Sequence, residues 1–422
     1  MKLGLVSALL LVVVCTTTVF AQPLPEASPE SVGISSEGLD RLAEVIEREI
    51  REDRMPGAVV AIARRGKLVY YEPFGYLDKA AGVRMPKDAI FSIASMTKPI
   101  FAAGAMTLYA EARLVMNEPV GSYLPELADR EVAVDDAGKV TESAIRQPTI
   151  EDLMRHTSGF VTRGRGDTAL HERYPASQAA SQVVDRVSEQ DYLSRFAELP
   201  LRYQPGTTWE YGPGLDLLGL AIERITDQSI HEFLTERIFS PLGMSDTVFT
   251  LSAKQAERKA QVLPIAPMTG EPQITRDQTE PWLFNCGGGC LASTALDYLA
   301  FAQMLLDGGT LNGVRVLSPS TVEYMISDHI GPDIDMTRLY QMSRVPAYGY
   351  GYGLGGAVRR EAGLGGRTGS PGEYMWVGSQ GTLFWIDPRK ELVVVYMAQT
   401  PGEIGGYYRQ IIPNLIYEAL LD

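Results

Sequence analysis

Strand-like sequence in this chain is concentrated at two widely separated places. Ala58 to Ala63 is an unbroken apolar run, Arg65-Gly66 makes a turn, and Lys67 to Tyr71 forms a second run, so the segment reads as a hairpin. Thr382 to Ile386 and Leu392 to Met397 repeat the signal near the other end, with Asp387-Pro388-Arg389-Lys390 turning between them. This order implies an antiparallel sheet whose first and last parts pair together.

The stretches between are helical in pattern. Ser36 to Arg51 places Leu39, Leu42, Val45 and Ile46 on one face, with Ser35 or Ser36 as the cap. Phe91-Ser-Ile-Ala-Ser95 leads into a long apolar helix over Thr97 to Ala112. From about 117 to 270 strand alternation fades. Short helical patterns take over at Ile150 to Arg155, Gln178 to Phe196, Gly214 to Ile225 and Ile230 to Arg237. Gly406 to Leu421 closes the chain as a helix. The expected class is α/β, of the α+β kind: an antiparallel sheet domain from 22–116 and 271–422, flanked by helices, with a helical domain inserted at 117–270. A chain of 422 residues is long enough for this.

The first residues belong to no domain. Lys2, the apolar run Leu3 to Val14 and the exit Val19-Phe20-Ala21 read as a secretory signal cleaved after Ala21, residues 1–21. The run is short of the roughly 20 residues a bilayer span needs. Bulky Val14 before Cys15 argues against a lipid anchor. The chain is therefore expected to be exported, periplasmic or secreted, with no stable membrane anchor. A net charge of −14 repels phosphate backbones and makes nucleic acid a poor partner. Beyond the leader there are two cysteines, in Asn285-Cys-Gly-Gly-Gly-Cys290. A disulfide and two free thiols both fit this turn. A zinc site fits less well, because the four histidines show no ligand spacing to the pair.

Several common chemistries are missing. No G-x-S-x-G elbow, H-E-x-x-H, Walker A or helix-opening G-x-G-x-x-G occurs. Ser95-Met-Thr-Lys98 remains. As a spacing alone it is weak. At the head of an apolar helix, however, Ser95 and Lys98 share a face one turn apart, with the serine at the positive end of the dipole. A serine needs its proton removed. Lysine can take it only when neutral, which requires its charged form to be destabilised by about 4 kcal/mol.

Phe91-Ser-Ile-Ala-Ser-Met-Thr-Lys98 resembles the S-x-x-K block of class C β-lactamases and penicillin-binding proteins. Leu153-Met-Arg-His-Thr-Ser-Gly159 resembles a segment of those enzymes and of the family VIII carboxylesterases. Trp209-Glu-Tyr211 resembles their Tyr motif. Gly288 to Tyr298 and Gly378 to Pro388 match later blocks in the family's order. The resemblance implies the β-lactamase/transpeptidase-like fold and an acyl-enzyme route without metal or cofactor. It implies Ser95 as nucleophile, Lys98 as proton holder and Tyr211 as second base. His156, tempting as a base, reads as part of a structural turn.

The third family motif has two candidates. Arg367-Thr368-Gly369 is closer in letters but is embedded in glycines and proline, so it reads as loop. Trp376-Val377-Gly378, leading into a strand, resembles the Trp-x-Gly of family VIII esterases and is preferred. The Ser379 N–H would then join that of Ser95 in an oxyanion hole. Trp376 and Gly378 would line the substrate site, and Phe160 to Pro205 would roof it. Pro213 stands where β-lactamases carry Asn, and Trp376 where they carry a cation. Both departures favour a small-molecule ester over a β-lactam-like substrate. The expected function is hydrolysis of short-chain carboxylic esters. A β-lactamase or D-alanyl-D-alanine carboxypeptidase, an acyltransferase and an inactive peptidoglycan-binding relative are the alternatives.

Overall fold

The computed structural model describes residues 23–177, 187–275, 277–336, 338–339 and 349–422. The expected leader lies outside them, and so does 178–186 of the helix expected over Gln178 to Phe196. The rest of that pattern forms a helix, Glu189–Ala197. Among the described residues, no helix is long and apolar enough to cross a membrane.

The sheet is antiparallel and eight-stranded. Its strands are β1 Gly57–Arg64, β2 Lys67–Asp78, β3 Val83–Arg84, β4 Tyr350–Tyr352, β5 Ala357–Arg359, β6 Tyr374–Val377, β7 Leu383–Asp387 and β8 Leu392–Ala398. They lie in the order β4-β5-β6-β7-β8-β1-β2-β3. The first and last hairpins thus meet at the sheet's centre, where Ala58 faces Ala398 and Arg64 faces Leu392. Every residue of β1 and β8 is buried, so these central strands are covered on both faces. β7 shows by what. Phe384 packs on Tyr298, ring centroids 4.8 Å apart, while the next residue, Trp385, stacks on Tyr417. Successive strand residues point to opposite faces. One face therefore carries α4, Ala295–Leu306, and the other carries α5, Glu403–Glu418. The latter packs on α1, Ser36–Arg51, capped by Ser35, whose hydroxyl accepts from the Gly38 N–H at 3.2 Å.

Two short strands, β4 and β5, were not anticipated. They are three residues each, too brief for alternation to register in the sequence. Trp376 also lies within a strand, β6, and Gly378 begins the turn into β7. Among the described residues of 117–270 the regular structure is mostly short helices joined by loops, with a small ladder pairing Glu131–Ala133 and Thr141–Ser143. The long apolar helix is α2, Thr97–Ala110, buried continuously from Thr97 to Leu108. It contacts α3, Gly214–Thr226, from the middle of the chain.

Candidate active site

Ser95 lies in a 3-10 turn, Ala94–Met96, that runs directly into α2. The turn is tied down on several sides. Ile93 N–H donates to Leu291 O at 3.1 Å, and Tyr298 Oη donates to Met96 O at 2.8 Å. Ala94 takes a left-handed backbone, φ 44°, which strains a residue with a Cβ and implies that its surroundings hold it there. Gly378 presses on the same turn. A Cβ on it would lie 2.3 Å from Ile93 O and 2.2 Å from Thr382 Oγ1, so only glycine lets the end of β6 come this close.

Lys98 sits one turn further on and is 2% exposed. A buried ammonium needs partners. Its Nζ donates to Gly288 O at 2.5 Å, lies 3.4 Å from Ser95 Oγ, and sits 4.6 Å from the centre of the Tyr211 ring. Gly288 is held in turn. It lies between Cys286 and Cys290, which form a disulfide, resolving the open reading of that pair. Its N–H donates to Asp216, a buried residue of α3 whose other oxygen accepts from Tyr192 Oη at 3.0 Å. Burial pushes the Asp216 carboxyl up, with Lys98, the Gly288 N–H and Tyr192 opposing.

Tyr211 is buried, three residues before the start of α3. Burial pushes its phenol up, but the charges of Lys98 and Arg165 and hydrogen bonds with Lys98 and Ser95 outweigh this. The phenol ends below its ordinary value. Ser95, Lys98 and Tyr211, drawn from two distant stretches, thus form one compact cluster, with Lys98 Nζ beside the Ser95 hydroxyl and over the Tyr211 ring. Such a group can pass a proton from a serine hydroxyl to a base.

His156 lies beside it, its ring 4.6 Å from that of Tyr211, without reaching Ser95. Its Nδ1 accepts from Gly212 N–H at 3.5 Å, and its backbone is left-handed, φ 63°. Burial, with Lys98 and Arg165, drives its pKa well below the ordinary range, so the ring is neutral.

The pocket over Ser95 has two lobes. One is walled by Trp209, Tyr211, Trp376, Val377, Ser379 and Arg409, and the other by Lys98, Thr162, Ser177, Pro213, Asp216 and Gly288. Trp376 and exposed Ser379 are thus brought to the nucleophile, and Pro213 as well. Thr162 and Ser177 come from the segment expected to roof the site. Arg367 is not brought there. It is buried against Glu373, the residue before β6, and Tyr350 of β4. Among the described residues, no cluster of His, Cys, Asp or Glu could hold a metal ion.

Sequence reasoning missed four contributors. Asp216, a lone acid within the apolar run Leu215 to Ile222, carried a usable signal. Gly288 read as part of a turn and as the head of a family block, with no role at the site. Arg165 lies in the segment expected to roof the site without having been singled out, and Arg409 sits in a stretch whose letters gave no hint of the pocket.

The model of the family described as Beta-lactamase matches residues 42–410. An uncharacterized protein of Mycobacterium tuberculosis is 35% identical over 358 residues, 82% of this chain and 86% of that one. Esterase EstB of Burkholderia gladioli is 28% identical over 386 residues, 86% of this chain and 91% of its own. Among solved structures, EstCE1, a hydrolase with promiscuous acyltransferase activity, superposes with a TM-score of 0.75 at 21% identity. That match covers 92% of this chain and 99% of EstCE1. The match along nearly the whole chain, in a molecule with this sheet and these helices, places the protein in the beta-lactamase family, as a serine hydrolase on the fold shared by esterases and penicillin-binding proteins.

Proposed function

We propose that this enzyme hydrolyses short-chain carboxylic esters through an acyl-enzyme on Ser95. The observation that carries the reading is the cluster of Ser95, Lys98 and Tyr211 beneath an aromatic wall. Tyr211, its phenol poised to ionise, draws the Ser95 proton directly or through Lys98, and Oγ attacks the ester carbonyl. The N–H groups of Ser95 and Ser379 hold the oxyanion, each worth about 3 kcal/mol. The proton then passes to the departing alkoxide, and water releases the acid by the reverse path. Trp209 and Trp376 offer an apolar surface to the acyl or alcohol part. His156, neutral and out of reach of Ser95, is a packing residue in this scheme.

We place this activity outside the cytoplasm, after removal of residues 1–21. N-terminal sequencing of protein recovered from the periplasm or medium checks this. A start at Gln22 is expected, and an intact Met1 would refute export by cleavage.

The decisive test is a panel of p-nitrophenyl esters, a chromogenic cephalosporin and D-alanyl peptides on the pure chain. The short esters should give the highest kcat/KM, with covalent labelling by a fluorophosphonate. Preference for the peptide or the β-lactam would overturn the ester assignment.

A further inference from the structure

Arg165 borders both lobes of the pocket, and so does Ser95. Its guanidinium carbon lies 4.9 Å from the centre of the Tyr211 ring. Among the described residues no carboxylate or carbonyl accepts from that guanidinium. The nearby acids are engaged elsewhere. Asp216 takes the Gly288 N–H and Tyr192, and Glu210 pairs with Arg338. The pocket therefore holds three cations, Lys98, Arg165 and Arg409, of which Arg409 donates to Gly378 O at 2.7 Å. Lys98 is bound by a carbonyl and Arg165 faces the cavity, in a chain of net charge −14.

A half-buried guanidinium over an aromatic ring has its five donors to satisfy, and a planar carboxylate matches two of them at once. We propose that Arg165 receives a carboxylate of the substrate, so that the favoured ester is an anion carrying its charge within reach of Ser95. This rests on the ester reading and narrows it to a substrate class. It also amends the sequence-based expectation about charge. The cation missing from β6, where Trp376 stands, is supplied from the 160–177 segment on another wall. The lost amide partner at Pro213 is unaffected.

The carboxylate could sit on the acyl part or on the alcohol part, and two acid–amide pairs separate these cases. Monoethyl glutarate against ethyl glutaramate places it on the acyl side. Butyryloxyacetate against butyryloxyacetamide places it on the alcohol side. Hydrolysis is followed by pH-stat, and the readout is the acid-to-amide ratio of kcat/KM within each pair. Any general effect of Arg165 on Tyr211 cancels in that ratio. The ratio should exceed about tenfold in one pair, the scale of a charge-assisted hydrogen bond. Arg165→Gln should collapse it to about one, and Arg165→Lys should restore part of it. A ratio near or below one in both pairs, or one that Arg165→Gln leaves unchanged, would overturn the proposal. Should none of the four esters be hydrolysed, the ester reading falls, and the cation is judged by calorimetry on the Ser95→Ala chain. Glutarate binding weakened at least about tenfold by adding Arg165→Gln supports it. Absent binding, or binding indifferent to Arg165, rules it out.

Discussion

Arg367 and Arg165 each face a tyrosine ring, and their surroundings differ in one respect. Arg367 lies 5.5 Å from the Tyr350 ring, with its side chain 1% exposed. It is fully matched: it bonds Glu373, and it donates to Tyr350 Oη at 2.8 and 3.1 Å. Glu373 also accepts from Tyr350 and Tyr417. Arg165 lies 4.9 Å from the Tyr211 ring, beside an open cavity, and no acid is matched to it among the described residues. A charge that finds its full set of partners within the protein is holding structure. A charge left facing a pocket next to a nucleophile is available to something that enters. The same contrast decides between the two third-motif candidates. Arg367-Thr368-Gly369, closer to the family in letters, is spent on an internal network, whereas Trp376 walls the pocket.

Substitutions can break the contrast. The largest effect is expected inside the pocket at Ser95. Ser95→Ala should lower ester turnover by about 10⁴-fold or more and abolish fluorophosphonate labelling, with the circular dichroism spectrum unchanged. Turnover above a trace would end the case for Ser95. Next come Lys98→Ala and Tyr211→Phe, each expected to cut kcat by about 100-fold or more, the scale of general-base catalysis. The unmodified enzyme should show a rising pH limb below the ordinary phenol value of about 10, because activity needs the ionised phenol and that ionisation is made easier here. Tyr211→Phe should abolish that limb. A normal kcat in this variant would move the base elsewhere.

Outside the pocket the loss should be one of stability. Arg367→Ala removes the nearer of two guanidiniums at the buried Glu373 carboxylate, leaving Arg359 at 3.8 Å, and should cost about 3 kcal/mol in denaturant unfolding. The folded fraction should keep its ratio of cephalosporin to ester turnover. Loss of β-lactam turnover alone would instead place Arg367 at the site. The smallest effect is expected at His156. His156→Ala leaves the Gly212 N–H without its acceptor and should cost about 1–3 kcal/mol of stability. Its kcat should fall by less than that of Tyr211→Phe, with the alkaline limb retained. Disappearance of the limb would give the histidine a proton-transfer role.

Much of the fold was legible because its signals are local. The apolar run 58–63 and the turn at Arg65-Gly66 specify a hairpin through backbone sterics and burial alone, and the first strand's expected ends fall within one residue of the observed ones. The second strand was read too short. β2 continues to Asp78 because it goes on pairing, with β1 as far as Gly57 opposite Gly75 and then with β3 at Tyr76 and Asp78. β4 and β5 exist because β6 needed a neighbour on its outer side, a tertiary demand that three-residue segments do not announce.

The candidate site divides the same way. The sequence by itself determined that Ser95 and Lys98 lie on one face, since a spacing of three on a helix leaves no other arrangement. It also determined that both ends of the chain share one sheet. Tertiary structure alone decided what meets Lys98: a carbonyl 190 positions away at Gly288, an aromatic ring 113 positions away at Tyr211, and beside that ring the guanidinium of Arg165. The physical reason is that helix and strand geometry act over a few residues and are written in periodicity. The partner of a buried charge is whatever group chain closure brings within about 3 Å of it, and no local pattern records that distance.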